Sequence, residues 1–168
     1  MVTKKYYPKK YIPKYLTNKD AKKIKNEIEK SKEYYKKTPK KYYIRKGVKS
    51  MKIKESKHIK KAKKIYNIKS MKINKELSRK TGCKIEGLEK IVNKGRGAYY
   101  SSGSRPGQTP DSWGYARLAS AVTGGKSSAV DYKIIEKYCN KTSKAYKMAK
   151  KSEKKYKRGT RKIPKRLI

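Results

Sequence analysis

The chain has 168 residues, of which 52 are Lys or Arg and 12 are Asp or Glu, so its formal net charge is +40. With 34% hydrophobic residues, no Phe and one Trp, it cannot build a large apolar core. Such a charge disfavours a compact isolated monomer and attracts nucleic acid, anionic membrane or acidic protein surfaces.

Lysine and tyrosine dominate the chain, and each has two interpretations. Lys, Ile, Asn and Tyr are all favoured by AT-rich codons, so part of the lysine excess reflects genome composition. The 16 Tyr residues oppose the disorder that a high charge predicts, because a phenol ring buries apolar area while its hydroxyl stays hydrated. Tyrosines can therefore pack small cores and wet interfaces, or stack on nucleic-acid bases.

Targeting and metal-binding signals are missing from the sequence. No run approaches the roughly 18 apolar residues of a membrane span, and the lysine-rich residues 1–15 lack the apolar core of a signal peptide. Cys83 and Cys139 lie far apart without a CxxC motif, and His58 is the one histidine. We therefore expect no metal site and no cofactor, and two separate small thiols in a reducing compartment.

The N-terminal region is predicted to be an arm followed by a helix. Residues 1–16 alternate Tyr, Lys and Pro and read as an extended basic arm. Thr17 or Asn18 then caps a helix that runs to about Lys37, with Asp20 completing a capping-box pattern. Its apolar stripe is narrow, about one residue per turn, and is typical of a helix on a partner or at a domain edge: Ala21, Ile24, Ile28 and Tyr35.

Residues 17–73 as a whole are predicted to be a Lys-rich helical region. Around Gly47 the loose alternation of residues 42–55 also allows a short pair of strands. Ser56 is placed to cap a second helix through Ile59, Ala62 and Tyr66.

Residues 74–140 are predicted to be a central folded module, because lysine is absent from 95–125 while seven of the 11 Gly residues lie there. The spacing within 74–93 is that of a helix-turn-helix, in which Gly82 gives the turn a positive φ. Leu77, Cys83, Leu88 and Ile91 would then meet between the two helices. Two interpretations stay open, a structural hairpin or a DNA reader, in which the DNA-facing candidates are Lys84, Lys90, Asn93 and Lys94.

The following segment, 94–110, is predicted to be a long Gly/Ser loop. Such a loop either cradles an anion with its amides and arginines or becomes ordered against a neighbouring molecule. Pro110 then opens a helix that Gly124 and Gly125 end, and Ser128 with Asp131 opens another. We expect these two helices to form an antiparallel pair, the second with Val130, Ile134 and Tyr138 on its core face.

The C-terminal region, 141–168, is predicted to be a basic helix followed by a basic arm. The predicted fold class is therefore mainly α: a small helical module, made of the hairpin and the helix pair, between long basic N- and C-terminal extensions. No spacing of Ser, His, Asp or paired carboxylates suggests a catalytic site, so we expect no enzyme and no small-molecule substrate.

The stretch TGCKIEGLEKIVNKGRGAYYSSGSRPGQTPDSWGYARLASAVTGGKSSAVDY, residues 81–132, resembles a family of small basic proteins from large nucleocytoplasmic DNA viruses, with phage and bacterial relatives. The resemblance is strong over about 74–139 and carries the motif GAYYSSGSRPxQTxxSWGxARLASAxTGGKxxAVDY. It implies no catalytic residue. The candidate docking or anion-binding residues within it are Arg96, Tyr99, Tyr100, Arg105, Gln108, Trp113, Arg117 and Lys126.

What the resemblance implies is a viral context: a protein made in the host cytoplasm and located in the virion. The leading hypothesis is a minor capsid or internal structural protein whose basic arms bind viral capsid proteins or the inner membrane surface without spanning it. The alternative is a genome-associated DNA-binding protein with a helix-turn-helix-like element.

Overall fold

The computed structural model describes residues 4–38, 42–157 and 164–168, and it is mainly α, which confirms the predicted fold class. Two three-residue strands accompany the helices in the described chain. In chain order the elements are β1 (Tyr6–Pro8), α1 (Asn18–Lys37), α2 (Lys57–Tyr66), α3 (Lys75–Thr81), α4 (Ile85–Ser101), α5 (Pro110–Val122), α6 (Lys126–Val130), α7 (Tyr132–Tyr138), α8 (Lys144–Tyr156) and β2 (Lys165–Leu167).

The chain divides into two compact units that differ from the predicted domains. Unit 1 consists of Met1–Lys54, Gly97–Pro110 and Lys162–Ile168, and unit 2 of Glu55–Arg96 and Asp111–Arg161. The predicted central module, 74–140, is thus shared between the units. Its Gly/Ser-rich piece, 97–110, packs with the N-terminal region, where Tyr99 is buried against Arg45 and Tyr100 stacks on Tyr42.

In unit 1 the strands Tyr6–Pro8 and Lys165–Leu167 form an antiparallel ribbon, which corrects the prediction of an extended N-terminal arm. Of the predicted C-terminal basic arm, 158–168, residues 158–163 lie outside the described residues. Tyr6 pairs with Leu167 and Pro8 with Lys165. The residues of the predicted arm that follow are largely buried, among them Tyr7, Tyr11 and Ile12, each less than a tenth exposed. Although the segment is rich in lysine, its tyrosine and isoleucine side chains provide the apolar surface that is buried.

Helix α1 begins as the capping pattern predicts. The Thr17 Oγ1 accepts a hydrogen bond from the Asp20 N–H at 3.2 Å. The Asp20 carboxylate accepts from the Ser50 N–H and Oγ at 2.9 and 2.6 Å. The Thr17 N–H, which a capping box would direct to that carboxylate, donates to the Ser50 Oγ at 3.3 Å. The predicted stripe of Ala21, Ile24 and Ile28 is buried, whereas Tyr35 is 37% exposed and does not extend it.

Residues 42–55 contain no strand within the described chain, so the strand pair that the alternation allowed is wrong. The segment is held by side chains instead: the Lys46 N–H donates to the Glu27 carboxylate, and the Arg45 side chain bonds to residues of α1 and of the last turn of α4. Alternation survives locally, since Tyr42 and Ile44 are exposed while Tyr43 and Arg45 are half-buried.

In unit 2 the helix-turn-helix hairpin forms as predicted from α3, a turn and α4. Gly82 adopts φ +71°, the left-handed conformation that the turn requires. Leu77, Cys83, Leu88 and Ile91 are each at most 2% exposed and belong to the core of the unit. Ser56 caps α2 as predicted, and Ala62 and Tyr66 of that helix join the same core.

Helix α4 continues to Ser101, so the prediction of a long loop from residue 94 is wrong for its first eight residues. The glycines there serve packing. A Cβ on Gly95 would lie 2.5 Å from the Cα of Gly114 in α5, and a Cβ on Gly114 would lie 2.7 Å from the Val92 carbonyl oxygen. Glycine at both positions lets the two helix backbones approach closely.

The predicted helix from Ser128 to Tyr138 is broken into α6 and α7 at Asp131. This residue is completely buried and turns its carboxylate to Arg117 and Lys94. The break changes the buried face, since Ile135 is fully buried while Val130 is 45% exposed.

The prediction of two separate thiols is also wrong, because Cys83 and Cys139 form a disulfide. Cys139, which follows α7, forms an isolated antiparallel bridge with Cys83, which follows the Gly82 turn. Two backbone hydrogen bonds flank the bridge, from the Lys84 N–H to the Tyr138 carbonyl and from the Asn140 N–H to the Gly82 carbonyl. Backbone pairing across 56 residues of sequence, which no sequence spacing reveals, brings the sulfurs together.

Candidate polyanion-binding surfaces

The residues predicted to dock or to bind anions do not form a single set. Tyr99, Tyr100, Arg105 and Gln108 belong to unit 1. Arg96, Trp113, Arg117 and Lys126 belong to unit 2.

Arg117 in unit 2 is engaged in an internal ion pair. Its Nε and Nη2 donate to the two carboxylate oxygens of Asp131, each at 2.8 Å, and Lys94 Nζ lies 3.3 Å from the same carboxylate. Because the buried carboxylate already neutralises the guanidinium, Arg117 positions the α6–α7 junction and is not available to an external anion.

The other predicted residues of unit 2 are partly engaged. Arg96 donates to the exposed Asp111 carboxylate and to the Asn93 side-chain oxygen, both at 2.7 Å. Trp113 is half-buried on α5, and Lys126 is half-buried at the start of α6. Arg96 and Lys126 are therefore the half-buried cations of this group, and Arg96 lies beside a carboxylate.

In unit 1, Tyr99 and Tyr100 are organised around a residue that the sequence did not single out. Tyr99 is 1% exposed, and the guanidinium of Arg45 stacks on its ring at 3.8 Å from the centroid. Arg45 also donates to the Ser31 Oγ at 3.1 Å, to the Ser104 Oγ at 2.7 Å and to the Tyr99 carbonyl. Burial lowers the pKa of Arg45 from its ordinary value, and the surrounding tyrosines and Glu27 act in the opposite direction.

Tyr100 extends this arrangement to the surface. Its ring meets Tyr99 edge to face at 5.3 Å and stacks on Tyr42 at 4.4 Å with an interplanar angle of 17°. Tyr42 is 57% exposed. We call Tyr42, Tyr100, Tyr99 and Arg45 the tyrosine stack; the alternation around residue 42 was the one sequence signal that could have found its outer ring.

Arg105 and Gln108 follow in the same segment. Arg105 is exposed and makes no ion pair among the described residues, while the neighbouring Ser104 holds Arg45. Gln108 is half-buried. Arg105 is therefore the predicted residue of unit 1 whose charge is free to meet an anion.

The residues predicted to face DNA in the alternative hypothesis are Lys84, Lys90, Asn93 and Lys94. All four are exposed along α4 or just before it, but the Lys94 ammonium is engaged by the buried Asp131 carboxylate. Carboxylates share this face, however: Glu86 and Glu89 are exposed too, and Lys90 lies 3.9 Å from the Glu86 carboxylate. The α4 face is thus of mixed charge, which weakens its attraction to phosphates.

Helix α8 carries the most uniform positive face in unit 2. Six exposed lysines follow one another along about 16 Å of helix: Lys144, Lys147, Lys150, Lys151, Lys154 and Lys155. In the described chain none of them pairs with a carboxylate, and the one acid of the helix, Glu153, is half-buried. The opposite face, with Ala145, Tyr146, Ala149 and Ser152, packs into the unit.

Two other kinds of site are missing from residues 4–38, 42–157 and 164–168. No three His, Cys, Asp or Glu residues are grouped so that they could hold a metal ion. No helix there has the length and apolar character needed to cross a membrane.

A family model described as a family of unknown function (DUF5824) matches residues 8–135, about three quarters of the chain. The match includes the tyrosine stack and the hairpin but not α8. Searches of curated proteins and of solved structures give no significant match.

Proposed function

The chain belongs to this family of unknown function. We propose that it is a non-enzymatic structural protein, a minor capsid or internal component of a large DNA virus, and that it binds acidic partners through its basic surfaces. The viral setting rests on the resemblance of residues 81–132. The binding mode rests on the lysine face of α8.

The α8 face carries the proposal because it combines high charge with a rigid support. Elsewhere lysines are partly neutralised, as in α1, where Lys32 lies 3.4 Å from Glu29, and around α2, where Lys63 lies 3.3 Å from Glu55. Within the part of the chain that the structure describes, the α8 lysines have no such partners, so their field reaches an acidic surface without first breaking an internal ion pair.

The acidic partner in this proposal is a capsid protein or the inner membrane surface of the particle. The Cys83–Cys139 disulfide supports a location in the particle, because disulfides persist at virion surfaces and are rare in proteins that stay in the cytosol. Synthesis in the cytoplasm then precedes oxidation.

A charge-matched pair of variants tests the α8 face. The variant K147Q/K150Q/K151Q/K154Q removes four unpaired lysines of α8, and K32Q/K37Q/K60Q/K63Q removes four that pair with Glu29, Glu33 or Glu55. Binding to salt-stripped particle shells is measured at fixed ionic strength. We expect the α8 variant to lose about tenfold or more in affinity and the control to stay close to the original protein. Equal losses in both would contradict a specific α8 face.

Location is tested on purified particles by lysine-directed cross-linking and mass spectrometry after gentle disruption. The proposal expects links between α8 lysines and shell or inner-membrane proteins. Recovery of the chain with the genome alone would replace the proposal by the second candidate.

The second candidate is a genome-associated DNA-binding protein, and one observation favours it: the α3–α4 hairpin has the predicted turn, with Lys84, Lys90, Asn93 and Lys94 exposed. A protein that engages about ten phosphates loses several orders of magnitude in duplex affinity between 50 and 200 mM salt. A K84Q/K90Q variant, which spares Lys94 because that residue pairs with the buried Asp131 carboxylate, should reduce that salt slope. Attachment to a protein shell should be saturable and insensitive to the two changes.

A further inference from the structure

Exposed apolar side chains are concentrated in unit 1. Of the ten large hydrophobic residues that are exposed in the described chain, only Ile85 and Val130 belong to unit 2. The others include five tyrosines, among which Tyr42 alone is stacked face to face on another ring. One face of the Tyr42 ring is stacked on Tyr100, and the residue is still more than half exposed. The stack fixes the orientation of the ring, which an unstacked surface tyrosine lacks.

The tyrosine stack is held rigidly from its buried end. Tyr99 is covered by the Arg45 guanidinium, which is fixed by Ser31 of α1 and by Ser104. Tyr100 lies against Tyr99, and its carbonyl accepts a hydrogen bond from the Ser31 Oγ at 3.2 Å. The outer ring, Tyr42, therefore rests on an ordered base, so little side-chain entropy remains to be lost when a further planar group stacks on it.

Positive charge accompanies the stack. Arg45 lies within 4 Å of no carboxylate in the described part of the chain, and Lys46 and Arg105 are exposed. Glu27, whose charge acts on Arg45, is engaged by the Tyr43 hydroxyl, the Lys46 N–H and, at 3.9 Å, Lys30. A polyanion with planar groups would meet both the aromatic face and the cations.

We propose that the tyrosine stack is a binding site for single-stranded nucleic acid, in which an unpaired base stacks on the exposed face of Tyr42 while phosphates lie near Lys46 and Arg105. Bases stack on aromatic side chains without sequence preference, because every base has a π face. This site belongs to unit 1 and does not depend on the α8 face or on the structural role proposed above.

Single strands fit this surface better than duplexes do. A base in a duplex already has stacking neighbours on both faces, so it reaches Tyr42 only after unstacking. Acidic peptides share the negative charge but present planar groups only where they carry aromatic residues, so they would bind mainly through the cations.

The test compares Tyr42→Leu with Tyr6→Leu, because Tyr6 is equally exposed, at 59%, and takes part in no ring stack among the described residues. Binding is measured by fluorescence anisotropy with labelled oligodeoxythymidine, with a duplex of equal length and with heparin. We expect Tyr42→Leu to weaken single-strand binding about 5- to 150-fold. Tyr42→Phe and Tyr6→Leu should retain it, and duplex and heparin affinities should be unchanged.

The salt dependence separates stacking from charge. Tyr42→Leu should leave the slope of affinity against salt concentration unchanged, since phosphate contacts remain, whereas Arg105→Gln should reduce it. Photo-cross-linking with 5-iododeoxyuridine oligonucleotides should modify Tyr42. Equal affinities of Tyr42→Leu and Tyr6→Leu, equal losses on heparin, or cross-links that avoid Tyr42 would overturn the proposal.

Discussion

The two units carry similar charge but are stabilised by different kinds of side chain. Unit 1 has 24 Lys and Arg against four acidic residues, and unit 2 has 28 against eight. Unit 2 has a core of aliphatic and small residues around Leu88, Leu118 and Ile135 and is cross-linked by a disulfide. Unit 1 contains ten of the 16 tyrosines and is held by their hydroxyls and by Arg45. Charge therefore does not distinguish the units, whereas exposed aromatic surface does.

This difference assigns separate tasks to the units. A core of aliphatic side chains exposes little that a partner could recognise, so unit 2 contributes stability and a lysine face. Tyrosines leave rings at the surface with a fixed geometry, so unit 1 contributes recognition. Perturbations that act on one unit and spare the other test this division.

The largest effect is expected from removal of the disulfide. A cross-link over 56 residues stabilises by about 4 kcal/mol through the lower entropy of the unfolded chain. The variant C83A/C139A should therefore unfold at a much lower urea concentration, as followed by the fluorescence of Trp113, the one tryptophan, which lies in unit 2.

Hydrogen exchange provides the control for this prediction. Amides of α4 up to Arg96, of α7 and of α8 should lose protection in C83A/C139A, while those of α1 should keep it. A uniform loss over both units would show that they do not differ in the way proposed here.

The next largest effect is expected at the buried carboxylate of unit 2. Asp131→Asn removes a fully buried carboxylate and its two-point ion pair with Arg117, whose side chain is 21% exposed, and should cost about 3 kcal/mol in the free energy of unfolding. Asp111→Asn is the matched control, because Asp111 pairs with Arg96 at a site that is 67% exposed and should cost less than about 1 kcal/mol. Urea titrations monitored by Trp113 would reveal comparable losses if burial of the pair were unimportant.

How far sequence predicts this molecule depends on whether the signal is local. The caps at Thr17 and Ser56 and the left-handed Gly82 depend on a few neighbouring residues and are confirmed. The continuation of α4 through Gly95 was missed because helix propensity penalises glycine and only the facing Gly114 explains it.

The candidate site shows the same limit. Tyr99 and Tyr100 could be named from the sequence, but Arg45 and Tyr42 join them from more than 50 residues away. The Cys83–Cys139 bond likewise depends on a backbone bridge between distant segments. Contacts of this range follow from tertiary packing and leave no periodicity to recognise.

A smaller effect is expected from the glycines of α4. Gly95→Ala places a Cβ 2.5 Å from the Gly114 Cα and should cost about 1–3 kcal/mol. Gly97→Ala meets no atom within 4 Å and should stabilise the helix by about 0.5–1 kcal/mol. Thermal unfolding followed by circular dichroism at 222 nm should therefore shift in opposite directions, and shifts of the same sign would contradict the packing role of Gly95.

The smallest effect is expected from acid, and it should fall on unit 1. Burial acts to raise the pKa of Glu27, but hydrogen bonds from the Lys46 N–H and Tyr43 and the charges of nearby lysines outweigh it, so the pKa lies below its ordinary value. The hydrogen bond and charge of Lys37 lower the pKa of the more exposed Glu33 as well. A carboxylate whose pKa is lowered by folding stabilises the protein above its unfolded pKa, about 4.3, and this contribution is lost as the pH falls through the folded value.

Solvent screening keeps the contribution of such partly exposed pairs small. Urea midpoints followed by tyrosine near-ultraviolet circular dichroism should decrease between pH 5 and pH 3, and Glu27→Gln should flatten this dependence more than Glu33→Gln does, because Glu27 is 6% exposed and anchors residues 43 and 46 beside the tyrosine stack. If both variants kept the full acid dependence, it would come from Asp20 and Glu29, whose pKa values are lowered by hydrogen bonds from Ser50 and from Lys5 and Tyr7, and Glu27 would not be the carboxylate that anchors the segment beside the stack.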